Sequence, residues 1–152
     1  KKFGEPICFQ GNTYYTFPSP DVLAKSRRED FRSCGCGYRD KYVLETAKMV
    51  SRDESGLYAL VDLDYEDAFN YLLQFPGVGP KVADCICLFS LKKQEAFPVD
   101  VWIKRIMEEV YLDGEEMKTS EVGKMAREKF KGLAGFAQQY LFYYAREHGV
   151  GK

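Results

Sequence analysis

The 152-residue chain has one histidine, one tryptophan and almost no net charge, with 22 Lys and Arg against 23 Asp and Glu. A balance of −1 excludes a protein that holds nucleic acid through bulk positive charge, and leaves local geometry as the alternative. No run approaches the roughly 18 apolar residues of a membrane span, so no membrane partner is expected. Lys1-Lys2-Phe3-Gly4-Glu5-Pro6 contains no signal-like apolar stretch. The five cysteines (Cys8, Cys34, Cys36, Cys85, Cys87) are odd in number and sit in apolar or glycine-rich surroundings. They argue against a disulfide framework and for a reducing compartment rather than secretion. Cys34/Cys36 and Cys85/Cys87 are spaced C-x-C, not the C-x-x-C of a zinc pair, and the lone His148 lies near the end. No zinc site is therefore expected. Internal repeats, low-complexity tracts and an initiator Met are also lacking. The chain is accordingly expected to be a fragment or a processed product.

What is present is a core. Apolar residues make up 45 %, and the 23 aromatics (11 Tyr, 11 Phe, one Trp) suffice for one well-packed domain over 1–152. Charge is unevenly placed. Residues 1–52 carry ten cations and six anions, 53–91 carry seven anions and only Lys81, and 92–131 are balanced at nine each.

The patterning is helical nearly throughout. Ser19-Pro20-Asp21 opens a helix, with Ser19 as N-cap and Pro20 at the first helical position. That helix, or a second short one, runs on to Gly35. Over 39–52, Tyr42, Val43, Thr46, Ala47 and Val50 form one apolar stripe. Asp64 caps the next helix, with Ala68, Phe69, Leu72 and Leu73 facing inward. Further helices are expected over 81–91, 102–111, 120–131 and 133–146. Strand signals are confined to 8–16, too short to make a sheet. The expectation is an all-α fold of six to eight helices.

The informative stretch is Leu72-Leu73-Gln74-Phe75-Pro76-Gly77-Val78-Gly79-Pro80-Lys81-Val82-Ala83-Asp84-Cys85. One helix ends near Gln74, two glycines permit positive φ, and Pro80 starts the next helix. Such a turn leaves the amides of Gly77, Gly79 and the first helical turn pointing outward, an anion site that needs no basic side chain. An αα-hairpin whose glycines only make the turn is the plain alternative. Lys81 would lie in the first turn, where the macrodipole and the neighbouring Val82 and Ala83 disfavour its charged form, as an amine nucleophile requires. Phe97-Pro98-Val99-Asp100-Val101-Trp102 places a carboxylate at the next helix start, where Asp100 is an ordinary N-cap and can also face a reaction centre.

The run from Phe75 to Leu88, followed by Pro98-Val99-Asp100-Val101, resembles the helix-hairpin-helix DNA glycosylases, and specifically the 8-oxoguanine DNA glycosylase/AP lyases. Phe3-Gly4, Tyr15-Thr16-Phe17-Pro18-Ser19, Gly35-Cys36-Gly37-Tyr38-Arg39 and Gly135-Phe136-Ala137-Gln138 extend the resemblance over most of the chain. It implies a helical glycosylase domain over 1–152, with its hairpin at 64–91. It implies base excision by Lys81 attack on the anomeric carbon, a Schiff base and β-elimination, with Asp100 orienting the lysine and stabilising positive charge on the sugar.

By the same resemblance Cys85, Gln138 and Phe142 form the pocket for a flipped base, with Phe142 stacking and Gln138 bonding to its edge. Core packing is the alternative for Phe142, and a small buried hydrophobe the alternative for Cys85. Tyr38 and Arg39 would wedge into the base stack, or else form a solvated first turn. The amides of Gly77, Gly79, Lys81 and Val82 would hold the DNA backbone, and the carbonyls of Leu73, Phe75 and Val78 a structural cation. Cys87, Tyr140, Tyr143 and Tyr144 are assigned to packing. No catalytic cofactor and no iron–sulfur cluster are implied.

The implied partner is double-stranded DNA containing oxidised guanine. The protein would be a monomer residing with the DNA, in the cytoplasm or nucleoid of a prokaryote or the nucleus of a eukaryote. Trp102 stands where better-known members carry a histidine. A β-rich domain and the helix that reads the opposite cytosine would precede Lys1. A non-catalytic hairpin module and a glycosylase for another damaged base remain as alternatives.

Overall fold

The computed structural model describes residues 1–150. The chain falls into two compact units, Lys1–Ala59 with Phe75–Gly77, and Leu60–Gln74 with the chain from Val78 onward.

The first unit opens with an antiparallel pair, β1 (Pro6–Phe9) and β2 (Asn12–Tyr15), in which Ile7 faces Tyr14 and Cys8 faces Thr13. The segment expected to be too short for a sheet therefore forms a two-stranded one. Gln10 and Gly11 both take positive φ (47° and 75°), the turn whose twist matches a hairpin. Thr16 donates its amide to Glu5 O at 2.9 Å, and Glu5 donates its own to Thr16 Oγ1 at 2.9 Å, closing the base of the pair.

Helices α1 (Pro20–Ala24), α2 (Arg28–Ser33), α3 (Asp40–Arg52) and α4 (Glu54–Ala59) complete this unit. Ser19 caps α1 through the Val22 amide, and Pro20 starts it. Asp30 reaches back to the Arg27 amide at 3.0 Å to start α2. Leu23, Phe31, Leu44 and Ala47 form the core. Asp40 is fully buried where α3 begins. Its carboxylate accepts Arg28 Nε at 3.0 Å and Nη2 at 3.2 Å, lies 2.7 Å from Arg32 Nε, and takes the Lys41 amide at 2.7 Å. Those bonds, Arg28's first, hold the Asp40 carboxyl below the ordinary carboxylate range. The short α4 has no counterpart in the sequence reading; Asp53 starts it by accepting the Ser55 hydroxyl and the Gly56 amide.

The second unit holds α5 (Tyr65–Leu72), α6 (Pro80–Phe89), α7 (Val101–Tyr111), α8 (Thr119–Phe130) and α9 (Ala134–His148). Asp64 caps α5 through the Asp67 amide, and Gly149 ends α9 in the left-handed conformation. Of the expected inward face of α5, Ala68 and Leu72 are buried and Phe69 is half-buried, whereas Leu73, beyond the helix end, is exposed. Phe97, Val99, Ile103, Ile106, Met107, Val122, Ala126, Ala134 and Ala145 make the core. The extended segment before α7 thus runs through the middle of this unit. α9 approaches it so closely that a Cβ on Gly135 would lie 3.0 Å from Gln94 O and 3.1 Å from Ala96 O. Lys104 and the Met117 amide both bond Glu108, fastening the loop after α7 back onto that helix.

Candidate active site

The turn between α5 and α6 is built as its residue types dictate, with one difference between its glycines. Gly77 has φ +81°, and a Cβ there would meet Tyr42 Cγ at 2.6 Å, so it both turns the chain and admits an aromatic ring. Gly79 has extended backbone (φ −97°, ψ 178°) as the N-cap of α6, with nothing within 4 Å of where a Cβ would stand. Pro80 occupies the first helical position. The amides of Gly77, Gly79 and Lys81 make no hydrogen bond to the described residues. The Val82 amide is different from the expectation. It donates to Gly79 O at 3.0 Å, a tight first-turn bond that takes it out of the set of free donors.

Lys81 is exposed, as is Val82, because the first turn of α6 lies at the surface; the expected apolar surround of the amine is not formed. Its amine has no hydrogen-bond or ion-pair partner among the described residues. Asp100 is half-buried and caps α7, its Oδ1 accepting the Ile103 amide at 2.8 Å, while Oδ2 makes no hydrogen bond to the described residues. Lys81 and Asp100 are therefore not in hydrogen-bond or ion-pair contact.

Cys85 is half-buried on α6, whereas Cys87 is fully buried, and burial together with Asp84 pushes its thiol up to about 11. Gln138 is buried at 5 % exposure, and its Nε2 donates to Pro98 O at 3.1 Å. Its Oε1 accepts from Gln139. The proposed base reader is thus tied to the segment that leads into Asp100. Phe142, one turn further along α9, is half-buried against the core, with the Arg146 guanidinium 5.9 Å from its ring centre. Tyr140, Tyr143 and Tyr144 do not pack inward. They are exposed, because α9 turns that face to solvent, and Tyr144 stacks on His148 at 4.2 Å.

In the first unit Tyr38 is exposed, with the Arg39 guanidinium 4.6 Å from its ring centre. Both belong to a 3-10 turn, Gly37–Arg39, leading into α3. Beside them an open hollow of about 460 Å³ is lined by Arg28, Arg32, Gly37, Tyr38, Asp40 and Lys41. Among the described residues no cluster of His, Cys, Asp or Glu could hold a metal ion. The carbonyls of Leu73 and Val78 accept no hydrogen bond from the described residues.

The sequence reading missed Asp84. It is 5 % exposed, accepts the Tyr65 hydroxyl at 2.7 Å, and is acted on more weakly by the Phe97 amide. Burial raises its pKa against those donors. The signal was a lone carboxylate in the otherwise apolar Val82-Ala83-Asp84-Cys85-Ile86-Cys87 run.

A helical pair joined by a glycine turn with unbonded amides, a lysine at the second position of the following helix and an Asp-capped helix downstream define the helix-hairpin-helix class of DNA-repair domain. Residues 2–132 match the HhH-GPD superfamily of base excision DNA repair proteins, and the chain belongs to that superfamily. It is 40 % identical to a probable N-glycosylase/DNA lyase of Methanothermobacter thermautotrophicus, over 97 % of this chain and 53 % of that protein. The 8-oxoguanine glycosylase/lyase of Clostridium acetobutylicum, solved with double-stranded DNA containing cytosine opposite 8-oxoG, superposes with a TM-score of 0.91 at 42 % identity. That match covers 98 % of this chain and 51 % of the other. A 3-methyladenine DNA glycosylase of Archaeoglobus fulgidus superposes less well, with a TM-score of 0.72 at 31 % identity over 95 % of this chain and 48 % of the other. The chain spans about half the length of the relatives it matches.

Proposed function

We propose that the protein excises 8-oxoguanine from double-stranded DNA and cleaves the strand, with Lys81 as the nucleophile. The observation that carries this reading is an exposed amine on the first turn of α6 with no partner among the described residues, next to backbone donors at Gly79 and Lys81 that have none among them either. A damaged nucleotide's phosphate satisfies such donors, and the amine then attacks the anomeric carbon. The base leaves, a Schiff base forms, and β-elimination breaks the 3′ side. Asp100 has a carboxylate oxygen left over from its capping bond, which serves to orient the amine and offset cationic charge on the sugar.

Cys85, Gln138 and Phe142 receive the flipped base. Beyond its bonds to Pro98 O and Gln139, the Gln138 amide keeps a second Nε2 hydrogen and a second Oε1 lone pair for the edge of the base. Tyr38 and Arg39 meet the duplex at the vacated position, and the amides of Gly77, Gly79 and Lys81 hold its backbone. The unbonded carbonyls of Leu73 and Val78, with that of Phe75, would take a structural cation. No cofactor enters the chemistry. The higher identity and TM-score of the oxoguanine enzyme favour that lesion over an alkylated purine.

The test is borohydride trapping with the natural full-length protein on a duplex carrying 8-oxoguanine. A covalent adduct is expected from the parent and none from Lys81→Gln; an adduct persisting in the variant removes the assignment.

A further inference from the structure

A carboxylate that no step above uses is buried on the helix that carries Lys81. Asp84 lies on α6 three residues after Lys81, and Phe97 precedes Asp100 by three. The Asp84 carboxylate accepts the Tyr65 hydroxyl of α5 at 2.7 Å and faces the Phe97 amide. Arg127 of α8 stands 5.4 Å from the Tyr65 ring centre and acts electrostatically on Asp84. One side chain therefore joins both helices of the hairpin to the segment that presents Asp100. One residue further on, Gln138 Nε2 of α9 holds Pro98 O at 3.1 Å, so that stretch is gripped from two helices.

Stability alone is a poor explanation for this arrangement. Burying a carboxylate costs free energy that a well-packed apolar residue would avoid. Its pKa is raised, mainly by burial, so the folded protein bears part of that cost at neutral pH. Lys81 and Asp100 have no bond to each other, so their spacing is set only by what fixes α6 against residues 97–100.

We propose that Asp84 is a positioning residue that, with Tyr65, sets the register of Lys81 on α6 against Asp100 at the start of α7. This rests on the reading of Lys81 as nucleophile. Small misplacements of reacting groups are costly to rate even when binding is kept.

The test is single-turnover trapping of the full-length protein on the 8-oxoguanine duplex, with the rate measured against protein concentration and each variant's folded fraction taken from its thermal unfolding. Asp84→Leu is expected to lower the saturating rate by about tenfold or more, the order that misplaced reacting groups cost. Tyr65→Phe should lower it in the same direction, and half-saturation should move less than about twofold, which is well under 1 kcal/mol. Asp84→Asn keeps a carbonyl acceptor and a group that can bond Tyr65, and should recover most of the rate. If Asp84→Leu fails to fold, Tyr65→Phe and Asp84→Asn carry the test. Saturating rates that match the parent per folded molecule in Tyr65→Phe and Asp84→Leu overturn the positioning role while leaving Lys81 in place. A parent that forms no adduct overturns the Lys81 reading and this inference with it.

Discussion

Gly77 answers two separate demands, and they can be separated experimentally. Its φ of +81° excludes an unstrained side chain, and its Cα faces the Tyr42 ring too closely for a Cβ. Gly77→Ala is expected to destabilise by more than about 1 kcal/mol, beyond the ordinary cost of alanine at positive φ. In a Tyr42→Ala background the steric part disappears, so the same substitution should cost less; chemical denaturation of the four proteins of that cycle measures the difference. Equal cost in both backgrounds would leave only the backbone strain. At this scale the sequence was readable where chemistry is local: Pro80, Lys81 and the Asp100 cap announce themselves within a few residues. It was silent on Asp84, whose meaning depends on Tyr65, 19 residues earlier, and on Phe97, 13 later. Gln138 was legible as a polar residue on α9 but not as the donor that holds Pro98 O.

Among the elements, α2 and α3 are joined by the buried Asp40 and its two arginines. Arg28's hydrogen bonds place the Asp40 carboxyl below its usual range. A carboxylate with a lowered folded-state pKa contributes stability that is complete above its unfolded value of about 3.9 and lost as pH falls through the folded value. Stability of Asp40→Asn should therefore fall less steeply than that of the parent between about pH 5 and pH 2. Denaturant midpoints at a series of pH values check this, and parallel curves would deny Asp40 its part in the acid response. Helices α1, α5, α6 and α7 were legible because their starts are written in Ser19-Pro20, Asp64, Pro80 and Asp100. Strand signals were read over 8–16, but the β1–β2 pairing was not, since all eight of its residues are exposed and no buried face marks it. Nor was α4, a six-residue helix containing a serine and a glycine, whose start depends on Asp53.

For the molecule as a whole, a net charge of −1 and a proposed DNA partner are compatible only if much of the contact is made by uncharged groups. Each phosphate neutralised by a lysine or arginine contributes about −0.9 to the slope of log affinity against log salt. Amide donors carry no counterions away. Duplex binding by the full-length protein is thus expected to show a slope smaller in magnitude than its number of phosphate contacts. Arg39→Gln should reduce it by less than about one unit if that side chain meets a base, and by about one if it meets a phosphate. Titrations at several salt concentrations give the number, and a slope as steep as the full contact count would return the binding to lysines and arginines. This charge argument and the outward amides were open to the sequence from the start; that the Val82 amide is taken up by Gly79 O needed coordinates.

The ribbon formed by Pro6–Phe9 and Asn12–Tyr15 is wet on both faces and pairs only with itself among the described residues. Little apolar burial holds it shut, so its few ladder bonds break and re-form far more often than those of the helices around Phe97. Amide exchange is expected to be faster along that ribbon than in those helices, well away in sequence from the lysine to which the chemistry is assigned by proposal.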